Sequence, residues 1–266
     1  EMSSIIIWTN YENPSGDLWA VADSRYTHPN QSIITDNGPK IFELPIICQN
    51  PSSQGFFENT YYFNKIGFAF AGSVTAALCI YTNASHMLSH LASVEKYVPS
   101  IKDINKFLVT IAQSYTLPIS NPFPMEFSVF GWCPIKKENK VFYTSIDSKN
   151  NVTTNDKSEE CKEQPLIMGC HKQEIFQKIN DAMSKETCKT RIPLMVLRKI
   201  VSEHEFPEIG GAVQLGINNN TTFNLFSVLN PFTDENGKSS LQFRNFDLFH
   251  DIRNVGNCFI NINGMC

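Results

Sequence analysis

Eight cysteines, six histidines and a spread of serines, aspartates and lysines are the residues of this chain able to do chemistry. The cysteines stand at 48, 79, 133, 161, 170, 188, 258 and 266, and no two are spaced as C-x-x-C. Zinc ribbons and dithiol redox sites need such close pairs, because two ligands must converge on one ion or one disulfide. Cys79 falls in an apolar helical run and Cys133 at a strand end, where a thiol behaves as a small hydrophobe. His86 and His90 lie one turn apart, as metal-binding pairs do, but no Glu follows His86 and no third ligand is evident. No metal and no cofactor are expected. Triad-type serine chemistry lacks its G-x-S-x-G elbow. Polar residues and glycines also stand at the ends of apolar segments. Ser3 precedes Ser4–Asn10, Asp23 closes Leu18–Ala22, Lys40 precedes Ile41 and Phe42, and Gly72-Ser73 closes the run from Gly67.

The elements that position them follow from patterning. SIIIWTN over Ser4–Asn10 is β-branched, a turn follows in Glu12-Asn13-Pro14-Ser15-Gly16-Asp17, and LWAVA returns. Beyond Gly72 the period changes to 3.6, with Val74, Ala77, Leu78, Tyr81, Leu88 and Leu91 on one face and Ser73 placed to cap, which predicts a helix over 74–94. Ser100 and Asp103 form a capping-box pattern for a second helix over 101–115, with a stripe through Ile104, Leu108 and Ile111. Strands follow at Met125–Cys133, Lys140–Asp147 and Gln164–Cys170, with the polar Ser148–Lys162 read as an exposed loop or hairpin tip. The series Phe123, Phe127, Phe130, Trp132 reads as core. A second helix pair is marked by Ile175, Phe176, Ile179 and Met183, then by Leu194, Leu197, Ile200, Val201 and His204 after Pro193. Gly210–Gly216 and Phe223–Leu229 make the last strands. Without repeats or a low-complexity linker, residues 3–266 read as a single domain.

Composition excludes several function classes. A net charge of −4 gives no basic footprint, so nucleic acid is not an expected partner. No stretch reaches the roughly 18 uninterrupted apolar residues of a membrane span, so no membrane partner is expected either. The first residues carry Glu1 and no basic region of a signal peptide, and a cytoplasmic location is expected. Glu1, which precedes Met2, is left out of the fold reasoning. The Asn-x-Ser/Thr triplets at 30, 83, 151, 219 and 220 are what an Asn-rich chain supplies by chance.

Strands, two helices, strands, two helices, strands is not strict βαβα alternation. The order and the quoted residues together resemble the proteasome β-subunits and their bacterial relatives, members of the N-terminal-nucleophile (Ntn) hydrolases. The gap from Asp23 to Lys40 is close to the family's, Gly210-Gly211-Ala212-Val213 resembles its Ser-Gly-Gly-Ala-Val segment, and Gly169-Cys170-His171 stands where it has Gly-Ser-Gly. The resemblance implies an α+β fold, a four-layer αββα sandwich of two stacked, mainly antiparallel sheets flanked by helix pairs. It also implies a homo-oligomer.

The implied chemistry is hydrolysis of a peptide or amide bond. The family's nucleophile uses its own α-amine as general base, with an unperturbed pKa of about 7.7–8.0. Removal of Met2 exposes Ser3. If Asp23 faces Ser3 across a hairpin, the turn is centred at 13, inside Asn13–Gly16; Thr9 fails that test. The resemblance implies that Lys40 places its ammonium beside Ser3 Oγ, that Asp23 holds Lys40, and that the Gly72 N–H at the helix start forms the oxyanion hole. The family also has an Asp and a Ser supporting the amine, where this chain has Phe206 and Ile209; Glu205 or Glu208 would have to substitute, and Cys170 replaces a further Ser. Two other readings stand beside the peptidase: a non-catalytic subunit on the same fold, and an amidase of small molecules. In the non-catalytic reading Ser3 is an ordinary terminal residue, Asp23 a turn former, Lys40 a surface charge and Gly72 a turn glycine.

Overall fold

A computed structural model describes residues 3–116, 124–186, 189–230, 240–248 and 254–265. Glu1, Met2, Phe123, Cys188 and Cys266, which carried readings above, lie outside them. The chain begins β1 (Ser4–Asn10), β2 (Asp17–Ala22), β3 (Tyr26–Thr27), β4 (Ile33–Thr35), β5 (Ile41–Pro51) and β6 (Phe57–Gly72). Then come α1 (Val74–Leu88), β7 (Leu91–Ala92) and α2 (Ile101–Thr116). The middle holds β8 (Met125–Cys133), β9 (Glu138–Ile146), β10 (Val152–Asp156), α3 (Glu160–Glu163) and β11 (Leu166–Gly169). Next are α4 (Lys172–Lys185), α5 (Ile192–Ser202), β12 (Gln214–Asn218) and β13 (Phe223–Asn230). Short strands end the chain: β14 (Ser240–Phe243), β15 (Phe246–Asp247), β16 (Asn254–Val255), β17 (Cys258–Phe259) and β18 (Gly264–Met265).

One sheet orders its strands β11-β1-β2-β12-β13-β14-β15, with β18 added on β13; the other runs β10-β9-β8-β6-β5-β7. Side-chain alternation along β1 sends successive residues to opposite faces. Ile5 and Ile7 pack with Ala20, Ile41, Ala69 and Phe130, in a cluster shared by the two large sheets. Ile6 and Trp8 instead join Ile175 and Ile179 of α4 and Leu194 and Leu197 of α5. A third cluster unites Phe68, Phe70 and Phe127 with Ala77 and Ile80 of α1 and Leu108 of α2. The Ser100–Asp103 capping box forms, with the Asp103 N–H donating to Ser100 Oγ at 3.2 Å and the Ser100 N–H to Asp103 Oδ2 at 3.2 Å.

The expected four-layer αββα sandwich is corrected by this structure. The fold is mixed α/β and mostly sheet, with 41% strand, 25% helix, five helices among the described residues and several antiparallel sheets, not two sheets flanked by helix pairs. The expectation assigned each strand to one of two sheets and each helix to a pair. In the structure β3–β4 and β16–β17 are separate two-stranded sheets, α3 belongs to no pair, and β7 and β18 join sheet edges in parallel. These elements are too short to show a period, so the patterning could not have predicted them.

Other bounds shift too. The helix predicted over 74–94 stops at Leu88, because Leu91 and Ala92 pair with Cys48 and Gln49 of β5. His90 therefore lies beyond the helix, its ring 4.8 Å from that of His86. The segment 148–162, read as an exposed loop or hairpin tip, contains β10, which pairs antiparallel with β9, and the start of α3. Among the described residues, no helix is long and apolar enough to cross a membrane, and Cys48, Cys79, Cys133, Cys161, Cys170 and Cys258 are free thiols.

Candidate active site

Asp23 stands one residue past β2, and its side chain collects four donors. Oδ1 accepts from the Ser4 N–H at 3.0 Å and from Lys40 Nζ at 2.6 Å. Oδ2 accepts from the Arg25 N–H at 3.1 Å and the Gly210 N–H at 3.2 Å. Both side chains of the Asp23–Lys40 pair are fully buried. Such a pair is tolerated when further hydrogen bonds satisfy the charges, which the three amides on Asp23 do. Burial pushes the Lys40 pKa below its ordinary value, and the Asp23 carboxylate opposes that shift. Lys40 is thus neither surface-exposed nor mobile.

The backbone around Lys40 is pinned by Gln214 at the start of β12. Its Oε1 accepts the Lys40 N–H at 3.0 Å, while its Nε2 donates to the carbonyls of Asp23 at 3.0 Å and Gly38 at 2.9 Å. One amide side chain thereby ties the end of β2, the entrance of β5 and β12 together. Ser24 adds a second tie, its hydroxyl accepting the Ala212 N–H at 2.7 Å and donating to the Asp36 carbonyl at 2.5 Å. Arg25 grips Asp36 bidentately at 2.7 and 3.1 Å. Sequence reasoning passed over Gln214, Ser24 and Arg25; the available signal was polar residues clustered against the strand ends.

Ser3 leads β1 and is 1% exposed. The β1–β2 register pairs Ile5 with Ala22, which sets Ser4 opposite Asp23 and places Ser3 one residue beyond. The expectation that Asp23 faces Ser3 directly is corrected by one residue. The turn carries a Gly16 N–H to Asn13 carbonyl bond of 2.8 Å, and its centre falls between residues 13 and 14. The Ser3 carbonyl accepts from the Cys170 N–H at 2.9 Å and from Cys170 Sγ at 3.3 Å. Burial pushes the Cys170 thiol up to about 12, so it stays protonated and able to donate. Gly169 makes this approach possible: its φ is +97°, and a Cβ there would lie 1.8 Å from the Ser3 oxygen and 3.3 Å from Ala71 Cβ. By the alternation of β1, Ser3 shares the Ile5 face, toward the second sheet.

Gly72 ends β6 at the mouth of the gap between the sheets, with Ser73 capping α1 through the Ala76 N–H at 3.4 Å. Its φ is +94°, and a Cβ there would sit 2.4 Å from the Pro124 carbonyl oxygen. The Phe70 N–H donates to the Lys40 carbonyl at 3.2 Å. In an antiparallel ladder the residue two further on aims the same way, so the Gly72 N–H points toward the Lys40 side. A cleft of about 360 Å³ opens there, walled by Ala71, Gly72, Gly169 and Cys170 on the Ser3 side. The structure thus brings Asp23 and Lys40 into contact at the Ser4 N–H, one residue along β1 from Ser3, and places Gly72 on the cleft walled by Gly169 and Cys170.

Among the residues standing where amine support was sought, Ile209 is fully buried and Phe206 stacks on His171 at 3.9 Å. Glu205 pairs with Lys178 at 2.7 Å. Glu208 is buried, accepts from Gln31 Nε2 at 2.9 Å and meets His171 Nε2 at 3.3 Å. Glu208 is therefore the acid of the two that lies on the His171–Cys170 side. No family model matches this chain, and no curated protein matches it either.

Proposed function

We propose that the chain is an N-terminal-nucleophile hydrolase of peptide or amide bonds, with Ser3 as nucleophile once Met2 is removed. The observation that carries this reading is the fully buried Asp23–Lys40 pair, held by the backbone amides of Ser4, Arg25 and Gly210, the first of them next to Ser3 in β1. A buried ammonium and carboxylate are expensive to desolvate, so a pair fixed one residue along β1 from Ser3 is what charge stabilisation of that site would use.

In this reading the Ser3 α-amine takes the Oγ proton as the oxygen attacks the substrate carbonyl, and the Lys40 charge favours the ionised oxygen. The carbonyl oxygen becomes an oxyanion met by the Gly72 N–H. The C–N bond then breaks as the α-ammonium returns the proton to the leaving amine, leaving an ester on Ser3. Water, deprotonated by the same amine, attacks that ester and releases the acid with Ser3 restored. A cytoplasmic location and a homo-oligomeric assembly belong to the same proposal.

The test is a protein beginning at Ser3, assayed on a peptide-amide library. It turns over substrate, Ser3→Ala and Lys40→Ala abolish turnover, and retention of Met2 does so equally, since a peptide nitrogen has no useful basicity. Equal rates with and without Met2 refute the mechanism. The non-catalytic reading is favoured by one observation, the apolar Phe206 and Ile209 where amine-supporting groups were sought; a folded, Ser3-initiated protein inert toward the whole library selects it.

A further inference from the structure

Resting on the reading of Ser3 as nucleophile, we propose that the cleft beside it receives a long aliphatic side chain ending in a cation, as in a lysyl or arginyl residue of a peptide substrate. The cleft is the open end of the gap between the two large sheets, and its volume of about 360 Å³ has room for one extended side chain. Ala71, Pro124, Met125 and Ile146 give it an apolar lining. The ionisable oxygens on its wall belong to Glu126 and Asp147, and none of its lining residues is Lys, Arg or His. An apolar stem with a charged tip is the ligand shape that satisfies both parts at once.

Glu126 is built into the wall. Its register places it opposite Ser145, and strand alternation puts it on the face of Ser128 and Phe130, toward the other sheet. Oε2 accepts the Gly169 N–H at 3.0 Å, so the carboxylate bridges the sheets and fixes the width of the cleft next to Ser3. Oε1 faces Lys172 Nζ at 2.5 Å. Tyr143, pushed up to about 12 by burial and by the Glu126 charge, stays a neutral donor on the same face. Asp147, at the rim, accepts from the N–H groups of Lys149 and Asn151 at 2.8 and 2.9 Å and from Asn151 Nδ2 at 2.8 Å. Those bonds hold its pKa below the usual value, so it is ionised at neutral pH. The cations facing these acids are Lys172 on Glu126 and Lys149 near Asp147, both outside the lining. The lining itself carries two negative charges and no positive one.

Lys172 gives the proposal opposed controls. Glu126→Gln keeps an oxygen for the Gly169 N–H, removes the charge and leaves the Lys172 ammonium uncompensated at the cleft. Lys172→Gln removes the ammonium that competes with a substrate cation. With protein beginning at Ser3, matched fluorogenic peptide amides carrying Lys, norleucine or Glu are compared at each position flanking the scissile bond. At one position Lys is preferred over norleucine by about twofold to fivefold in kcat/KM, the scale of a partly exposed ion pair, and the preference shrinks in high salt. Glu126→Gln erases it, and Lys172→Gln enlarges it. The same peptides, labelled, are titrated by fluorescence anisotropy into Ser3→Ala protein, which needs no turnover. Charge-selective binding without any wild-type turnover overturns the nucleophile and keeps the cleft. Turnover or binding indifferent to charge, or both variants shifting selectivity the same way, overturns the cleft proposal.

Discussion

Removing the Asp23 charge should harm this fold more than removing the Lys40 charge, although the two are partners. Asp23→Asn keeps the volume but leaves the fully buried Lys40 ammonium without its counter-charge at 2.6 Å. It also replaces an acceptor that serves four donors with a group that has one acceptor oxygen and a donor of its own. Breaking a buried pair from one side in this way costs about 3–5 kcal/mol. Lys40→Met fills the same space and leaves a carboxylate still solvated by the amides of Ser4, Arg25 and Gly210, so the loss is one bond to a charged group, about 1.5–3 kcal/mol. The double variant removes the stranded ammonium and should cost less than the sum of the two. Urea denaturation of the four proteins, read as midpoint shifts at constant m-value, measures all three terms. A loss for Lys40→Met equal to or above that for Asp23→Asn refutes the claim that the amides hold Asp23 as an anion independently of Lys40, and strict additivity refutes the stranded ammonium as the cause of the Asp23→Asn loss.

The same pair has a pH signature. Because burial lowers the Lys40 pKa below 10.5, the unfolded chain binds the extra proton between that lowered value and 10.5. Stability from this group therefore rises with pH through the window and levels off above it, and the slope should vanish in Lys40→Met, as urea melts at successive pH values would record. Gly169→Ala should separate site from fold. Its Cβ, 1.8 Å from the Ser3 carbonyl oxygen at a φ of +97°, forces the first residue of β1 away from Cys170. Turnover should fall to background while circular dichroism keeps the sheet signal; unchanged kcat would show that the Ser3 anchorage is irrelevant to catalysis.

How much of this was legible depended on range along the chain. Ser4–Asn10 and Met125–Cys133 were read with their observed bounds, because β-branched runs and strict alternation are local signals. The long hairpin of β5 and β6 was seen only at its inner ends. Pro45, Asn59 and Asn64 interrupt the pattern, though all three sit in paired strands. Asp23 and Lys40 were placed together by resemblance alone, since nothing local reports that a carboxylate and an ammonium 17 residues apart meet in a dry interior. The one-residue error in register arose because a turn centre read from composition carries about that uncertainty, and a single step moves a side chain to the other face. Gln214 and Ser24 stayed invisible for a further reason: each acts on the backbone of a distant segment, and backbone atoms carry no sequence signature.

The clamp on the Ser3 carbonyl also imposes an order of events during synthesis. Cys170, which makes it, lies 167 residues after Ser3. At about 5–20 residues per second, a ribosome needs roughly 8–33 s to deliver it. Until then the start of β1 lacks β11 on one edge. Afterwards Ser3 is 1% exposed and its carbonyl is engaged. The surroundings that bury Ser3 are therefore completed only once β11 has been made, long after β1 itself.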